Sequence, residues 1–260
     1  MLNDDFATRI ENRLREMLHQ QLRGLKRKVE KEFSQESFIR ELTALHEDPV
    51  YRRWFLDSEQ YVIIRFIGRV SISIGRRLGE IYEKIPRYVT AARFELSQDK
   101  VAPKFDNLEL DIGIPIEELS HKDAEHVKSV ARSYFSNYND LGLGIEIRYN
   151  FNPNDSARLR KDDRMANILI TNRYFPIYLI FSSISPRHEA IARLRRASWN
   201  FLIGGQANSF LSELLGVDIT RILDVPSIRD EIRREVDSIM KSLFTSYAFR
   251  EVIGKISRLQ

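Results

Sequence analysis

The chain has 260 residues, of which 43% are hydrophobic and 30% charged, and it contains no cysteine. This composition is typical of a folded protein with one sizeable core. It excludes a disulfide framework, thiolate zinc sites and redox chemistry at a protein thiol. The net charge is only +4, so charge alone is a weak indicator of a polyanionic partner.

The first residues, MLNDDFATRIENRL, carry acids and bases where a signal peptide requires an apolar run. No stretch of the sequence approaches the roughly 20 apolar residues of a membrane span. These two features predict a soluble cytoplasmic protein without a membrane partner.

Residues 5–33 place an apolar side chain at every third or fourth position, which predicts one long amphipathic arm helix. Its apolar stripe could pack on the rest of the chain, or it could pair with a second subunit. Ser34 is a suitable N-cap for a following helix, and Pro49 marks a break.

Basic side chains are concentrated in the next part of the chain, between residues 65 and 93. Residues 61–88 begin with a segment rich in β-branched residues, whereas their second half has helical spacing and predicts a helix that precedes Pro86. Arg76, Arg77 and Glu80 lie mainly on the polar side of that helix. Such a basic surface attracts phosphate backbones, although basic side chains also simply solubilise helices.

Three further segments predict strands, with helices between and after them. FDNLELDIGIPI alternates apolar and polar residues, GLGIEIRYNF reads as a buried strand, and FPIYLIFSSIS as a fully buried one. Residues 117–136 and 156–170 have helical spacing, as do the segment that follows Pro186 and the C-terminus, and NFLIGG is a candidate short strand.

This order of elements predicts an α/β fold, with a mixed central sheet flanked by helices and with helical additions at both ends. We expect an N-terminal helical arm at 1–60 and an α/β core at 61–225. The C-terminal helix, at 226–260, is expected to pack on that core.

Two of the predicted strands carry acids opposite an apolar face. Asp111 projects away from its isoleucine and leucine neighbours, and Glu146 does the same with Arg148 beside it. If the strands pair, the two carboxylates converge, and their repulsion favours a hard divalent cation such as Mg²⁺. The alternative is an exposed sheet face on which acids and bases pair across strands.

The same residues carry a resemblance to a known family. Glu80 in GRRLGEIYEKI, Asp111 in LELDIGIP and the acid-x-base element EIR at 146–148 stand in the order of the motifs of PD-(D/E)XK nucleases. Residues 65–205 resemble the core of type II restriction endonucleases, and YLIFSSISPRHEAIARLRRASWNFL is similar to the ApaLI-type group. The resemblance implies a restriction-endonuclease-like fold and Mg²⁺-dependent, site-specific cleavage of double-stranded DNA. In that family pattern Asp111 and Glu146 would hold the metal, and Glu80 and Arg148 would complete the catalytic set.

Two departures from the family pattern bear on this assignment. Arg148 stands where the family usually has lysine, and arginine stabilises charge but does not serve as a base. Lys161, on the following helix, is an alternative source of an ammonium group. Asp111 and Glu146 are also 35 positions apart, more than is common in the family, and Glu109 could be the true ligand or a second one.

Recognition of a DNA site requires side chains that contact phosphates and base edges. The candidates lie in the basic helix and in or beside the predicted loops: Arg76, Arg77, Asn150, Asn152, Lys161, Ser182, Ser183 and Arg187. A palindromic site would imply a homodimer, with the arm helix or the C-terminal helix at its interface. The competing hypothesis is a non-catalytic DNA-binding or assembly protein on a nuclease-like scaffold, which Arg148 favours.

Overall fold

A computed structural model describes residues 4–150, 156–184 and 188–256 of the chain. Its elements, in chain order, are α1 (Asp4–Glu32), α2 (Gln35–Glu47), α3 (Pro49–Arg53), α4 (Glu59–Arg93), α5 (Gln98–Val101), β1 (Lys104–Phe105), β2 (Leu108–Glu109), β3 (Ile112–Ile114), α6 (His121–Tyr134), β4 (Gly142–Arg148), α7 (Ser156–Thr171), β5 (Tyr174–Ile180), α8 (His188–Arg196), β6 (Asn200–Ile203), α9 (Gly205–Leu215), α10 (Ile219–Leu223), α11 (Pro226–Phe244) and α12 (Tyr247–Ile256). None of the helices in these ranges is long and apolar enough to cross a membrane.

The chain divides into two compact units that differ from the predicted domains. An α/β unit comprises residues 1–11 and 79–223, and a helical unit comprises 12–78 and 224–260. Residues 12–60 of the predicted arm and the predicted C-terminal segment therefore belong to one unit, which also takes in the first part of α4.

The helical unit has its own apolar core. Buried side chains of its N-terminal helices meet those of α11 and α12, among them Leu25, Val29, Phe33, Phe66, Ile239 and Phe249. The ring of Phe33 lies 5.1 Å from that of Phe66 and 5.6 Å from that of Phe249. The C-terminal helices thus pack with the N-terminal ones, whereas the sequence predicted the α/β core as their partner. An apolar stripe specifies that a face is buried but not against which partner.

Helix α4 is continuous over 35 residues and includes both the β-branched segment and Pro86. A proline inside a helix costs about 3 kcal/mol, since it removes one backbone hydrogen bond and its ring crowds the preceding turn. Ile81, Ile85 and Val89 are buried on both sides of Pro86, and burying such side chains contributes about 1.5–3 kcal/mol each. Tertiary burial therefore carries the helix past the point at which the sequence predicts its end.

The α/β unit is built on a mixed four-stranded sheet of order β3-β4-β5-β6. Strand β3 is antiparallel to β4, whereas β4, β5 and β6 are parallel. The three predicted strands and the short one at 200–203 are confirmed, with one change: the first breaks into β2, which pairs with β1, and β3. Asp111 lies at the bend between these two pieces.

Helices cover both faces of the sheet. On one face, buried side chains of α7 and α8 pack with Tyr178 and Ile180 of β5. On the other face, Phe135 contacts Phe175 of β5 and Phe210 of α9. Helix α7 approaches β4 very closely, because a Cβ atom added at Gly144 would lie only 2.7 Å from a methyl carbon of Leu169. Glycine at this position therefore brings α7 next to the two charged residues of β4.

Candidate functional site

The two acids that the sequence singled out lie side by side. Ile112 of β3 is paired with Ile145 of β4 in antiparallel register, so one further step along the register places Asp111 opposite Glu146. Asp111 Oδ2 accepts a hydrogen bond of 2.7 Å from the backbone N–H of Ile147. Both acids are buried, at 6% and 5% exposure.

Arg148 bridges these two carboxylates. Its Nη1 donates to Asp111 Oδ2 at 2.9 Å, and its Nη2 lies 2.8 Å from Glu146 Oε2. The ring of Tyr178 lies under the guanidinium, 5.6 Å from its central carbon. A strand can carry a carboxylate and a guanidinium on one buried face because each compensates the charge of the other.

Asp162 is a buried acid of the site that the sequence analysis missed. Its Oδ1 lies 3.8 Å from Arg148 Nη2, and its Oδ2 accepts a hydrogen bond of 3.1 Å from the Tyr178 hydroxyl. The indole N–H of Trp199 donates to its backbone carbonyl at 2.9 Å. The sequence does contain an indication of this acid. Asp162 precedes the buried residues Met165 and Leu169 at helical spacing, which places its carboxylate on the apolar face of α7.

Helix α4 contributes Glu83 and Arg87 to the site, and not the glutamate that the resemblance indicated. Arg87 donates to Glu83 Oε1 at 3.3 Å, to Glu109 Oε1 at 2.7 Å and to the carbonyl of Asp111 at 2.9 Å. Glu80 instead lies 3.6 Å from Lys84 and is not among the described residues that line the site. The family pattern specifies an acid on this helix, but only the packing of the helix decides which of two acids one turn apart reaches the strands.

Several of these side chains line an acidic cavity of about 500 Å³. Among the described lining residues, five are acids: Glu83, Glu109, Asp111, Glu146 and Asp162. The two basic ones are Arg148 and Lys161, and Lys161 is exposed. Of the predicted set, the structure therefore brings together Asp111, Glu146, Arg148, Lys161 and Glu109. Acids outnumber bases among the described residues that line the cavity.

The crowding of acids changes their proton affinity. Burial raises the pKa of Glu146 well above its ordinary value, and the charge of Asp111 raises it further, while Arg148 opposes both. Burial and the charge of Asp111 also raise the pKa of Glu83. The described lining of the cavity therefore has more acidic side chains than Arg148 and Lys161 can neutralise.

The donor set and this charge excess fit a hard divalent cation, which prefers carboxylate oxygens. In the described parts of the chain no three acidic or histidine side chains have the mutual geometry of a metal site. The guanidinium of Arg148 takes the place between Asp111 and Glu146. A cation held by both acids would have to share or replace that contact.

The predicted DNA-contacting residues are spread over several places. Arg77 belongs to the helical unit, where its Nη1 donates to Gln21 Oε1 at 2.7 Å, and Arg76 beside it is exposed. Ser182 and Ser183 follow β5, and Ser182 Oγ accepts from the backbone N–H of Ile184 at 3.2 Å.

Three more of these candidates lie at the ends of elements or beyond the described ranges. Asn150 follows β4, and its buried Oδ1 has no hydrogen-bond partner among the described residues. Asn152 and Arg187 lie outside the described residues.

Comparisons of the chain with protein-family models, with curated proteins and with solved structures found no match.

Proposed function

We propose that the chain is a Mg²⁺-dependent, site-specific endonuclease that hydrolyses phosphodiester bonds of double-stranded DNA, on a restriction-endonuclease-like fold of the PD-(D/E)XK type. The observation that carries the proposal is the pair of buried acids from neighbouring strands, Asp111 and Glu146, which line an open cavity with Arg148 and Lys161. Three further acids line the same cavity, and an ion pair that served only to stabilise the fold would not require them.

Each residue has a distinct role in this proposal. Asp111 and Glu146 would hold the ion, which when bound polarises a phosphodiester oxygen and lowers the pKa of a bound water. Arg148, which stays protonated, would stabilise negative charge that develops on the phosphate. Lys161 is the exposed cation of the cavity and would contact the incoming phosphate. Asp162 would orient Arg148.

The direct test is incubation of the protein with a supercoiled plasmid in the presence of Mg²⁺, with EDTA as the control. The proposal expects discrete fragments that require the metal, and mapping of their ends on a fully sequenced viral DNA would then define the site. A palindromic site would in turn favour a homodimer in the cytoplasm, whose two copies each cut one strand.

A second candidate function is a non-catalytic DNA-binding or assembly protein on the same scaffold. The observation that favours it is the contact of Arg148 with both Asp111 and Glu146, since a guanidinium can replace a metal as the compensating charge. DNA binding without cleavage at any Mg²⁺ concentration would support this function and contradict the nuclease.

Exchange of single acids on α4 tests which glutamate belongs to the site. Glu83→Gln is expected to reduce the cleavage rate about 10–100-fold, as is usual for groups that support metal ligands. Glu80→Gln should have a much smaller effect, because its side chain lies 3.6 Å from Lys84 and not at the cavity. Rates measured on one plasmid under identical conditions decide this, and the reverse order would contradict the site as described.

A further inference from the structure

The helical unit contains a second cavity, of about 340 Å³, whose walls are mainly basic. Its charged lining residues come from α1, α2 and α4: Lys28, Lys31, Arg40, Arg69, Glu32 and Glu41. None of these residues is among those that line the acidic cavity of the α/β unit.

Both acids of this cavity are already engaged by arginines of α4. Arg69 Nε lies 3.1 Å from Glu32 Oε2, and Arg69 Nη2 lies 3.1 Å from Glu41 Oε2. Arg65 Nε approaches Glu41 Oε1 to 2.6 Å. Two arginines therefore neutralise the two acids, and they tie α1, α2 and α4 together.

The remaining cations of the cavity are weakly compensated. Lys28 and Lys31 form no ion pair within the described ranges, and Lys31 is exposed. Arg40 lies 3.9 Å from Glu36, whose side chain is 89% exposed, and water screens such a pair almost completely. Three positive charges thus face a concave surface without a buried acid to balance them.

The N-terminus of α2 adds to this positive potential. Ser37, in the first turn of that helix, is buried and lines the cavity. The first turn of a 13-residue helix carries a partial positive charge and backbone N–H groups that favour anions. Ser34 caps the helix by accepting from the N–H of Ser37 at 3.3 Å.

We propose that this basic cavity, formed by Lys28, Lys31 and Arg40 at the start of α2, binds a phosphate group. Its source is the backbone of double-stranded DNA, a choice that rests on the proposed function, whereas the preference for phosphate rests on the cavity alone. A soluble polyphosphate offers the same chemistry, so the test must separate the two sources.

The test compares wild-type protein with the double variant Lys28→Glu/Lys31→Glu. The matched control is Arg23→Glu/Arg27→Glu, which reverses two charges at exposed positions of the same helix that do not line the cavity. Binding of a labelled DNA duplex is measured by fluorescence anisotropy at several salt concentrations with EDTA present. Because no metal is available, the result does not depend on cleavage. Thermal unfolding with and without inorganic tripolyphosphate is measured in parallel.

Loss of this phosphate site should make the plot of log affinity against log salt less steep by about 1 and weaken DNA binding roughly 10–100-fold near 0.1 M salt. Arg23→Glu/Arg27→Glu should change the slope much less. If tripolyphosphate stabilises the wild type but not the double variant, and DNA affinity is equal in both, the phosphate site stands and its source is a soluble phosphate. Equal DNA affinity together with equal tripolyphosphate stabilisation would overturn the proposal. Lys28→Gln/Lys31→Gln, which removes charge without reversing it, repeats the comparison if the double reversal unfolds.

Discussion

Glu146→Gln is expected to abolish DNA cleavage, with a loss of rate of at least about 10²-fold, and to leave DNA binding intact. Even groups that only support metal ligands usually contribute 10–100-fold to activity, and a ligand itself contributes more. The amide has nearly the same shape as the carboxylate, so the buried site keeps its packing while it loses one charged oxygen ligand. Plasmid cleavage and duplex binding, measured on the same preparation, check this expectation.

The matched control is Glu125→Gln, which neutralises an exposed acid of α6 that pairs with Lys128 at 2.9 Å. It lies outside the cavity and should leave both activities unchanged. Cleavage that persisted in the Glu146 variant would remove this cavity from the catalytic account.

The raised pKa of Glu146 adds a pH dependence to metal binding. Its carboxylate keeps a proton in the folded protein at pH values where an exposed glutamate, with a pKa of roughly 4.3, has lost it. Divalent cations require the ionised form, so their affinity should increase as pH rises through the raised pKa, and binding should release protons. Calorimetry in buffers of different ionisation enthalpy measures this release without any DNA, and affinity that stayed constant across the pH range would contradict the assignment of Glu146 as a ligand.

Arg148→Met is expected to lower the free energy of unfolding by about 3–5 kcal/mol near neutral pH. The methionine fills much of the same space, but it leaves Asp111, Glu146 and Asp162 buried without their shared cation, and a buried charge that loses its partner costs this amount. Chemical denaturation measures the change directly.

The sign of the pH dependence distinguishes this cause from a simple packing defect. Arg148 opposes the raised pKa of Glu146, so without it the folded-state pKa of Glu146 rises further, and the folded protein binds more protons than the unfolded chain above the unfolded pKa of about 4.3. The destabilisation should therefore be small at low pH and grow as pH rises. Mg²⁺ should raise the melting temperature of this variant more than that of the wild type, because the place between the two acids is open.

A control for the loss of any surface ion pair is Arg132→Met, since Arg132 pairs with Asp140 at an exposed position. Exposed pairs are screened by water and contribute little, so this variant should unfold almost like the wild type. A destabilisation by Arg148→Met that was equally small, or that did not depend on pH, would show that the acids of the cavity are not coupled through Arg148.

Much of the α/β unit could be predicted from local patterns. Leu110 and Ile112 are both buried, as their alternation with charged residues predicts. The same reasoning pointed to Asp111 and Glu146 as side chains on one face. It could not have placed Glu83 in preference to Glu80, since both lie on the same helix and only the docking of that helix selects one.

The sequence by itself determined the order of strands and helices, the apolar stripe of α1 and the acid-x-base spacing of β4, because these depend on periodicity within a few residues. Tertiary structure alone decided that α11 and α12 pack with the N-terminal helices, that α4 continues past Pro86, and that Asp162 meets Arg148. Burial of apolar area is not directional, so it stabilises any partner of suitable shape, and the choice among partners is made only when the whole chain is packed.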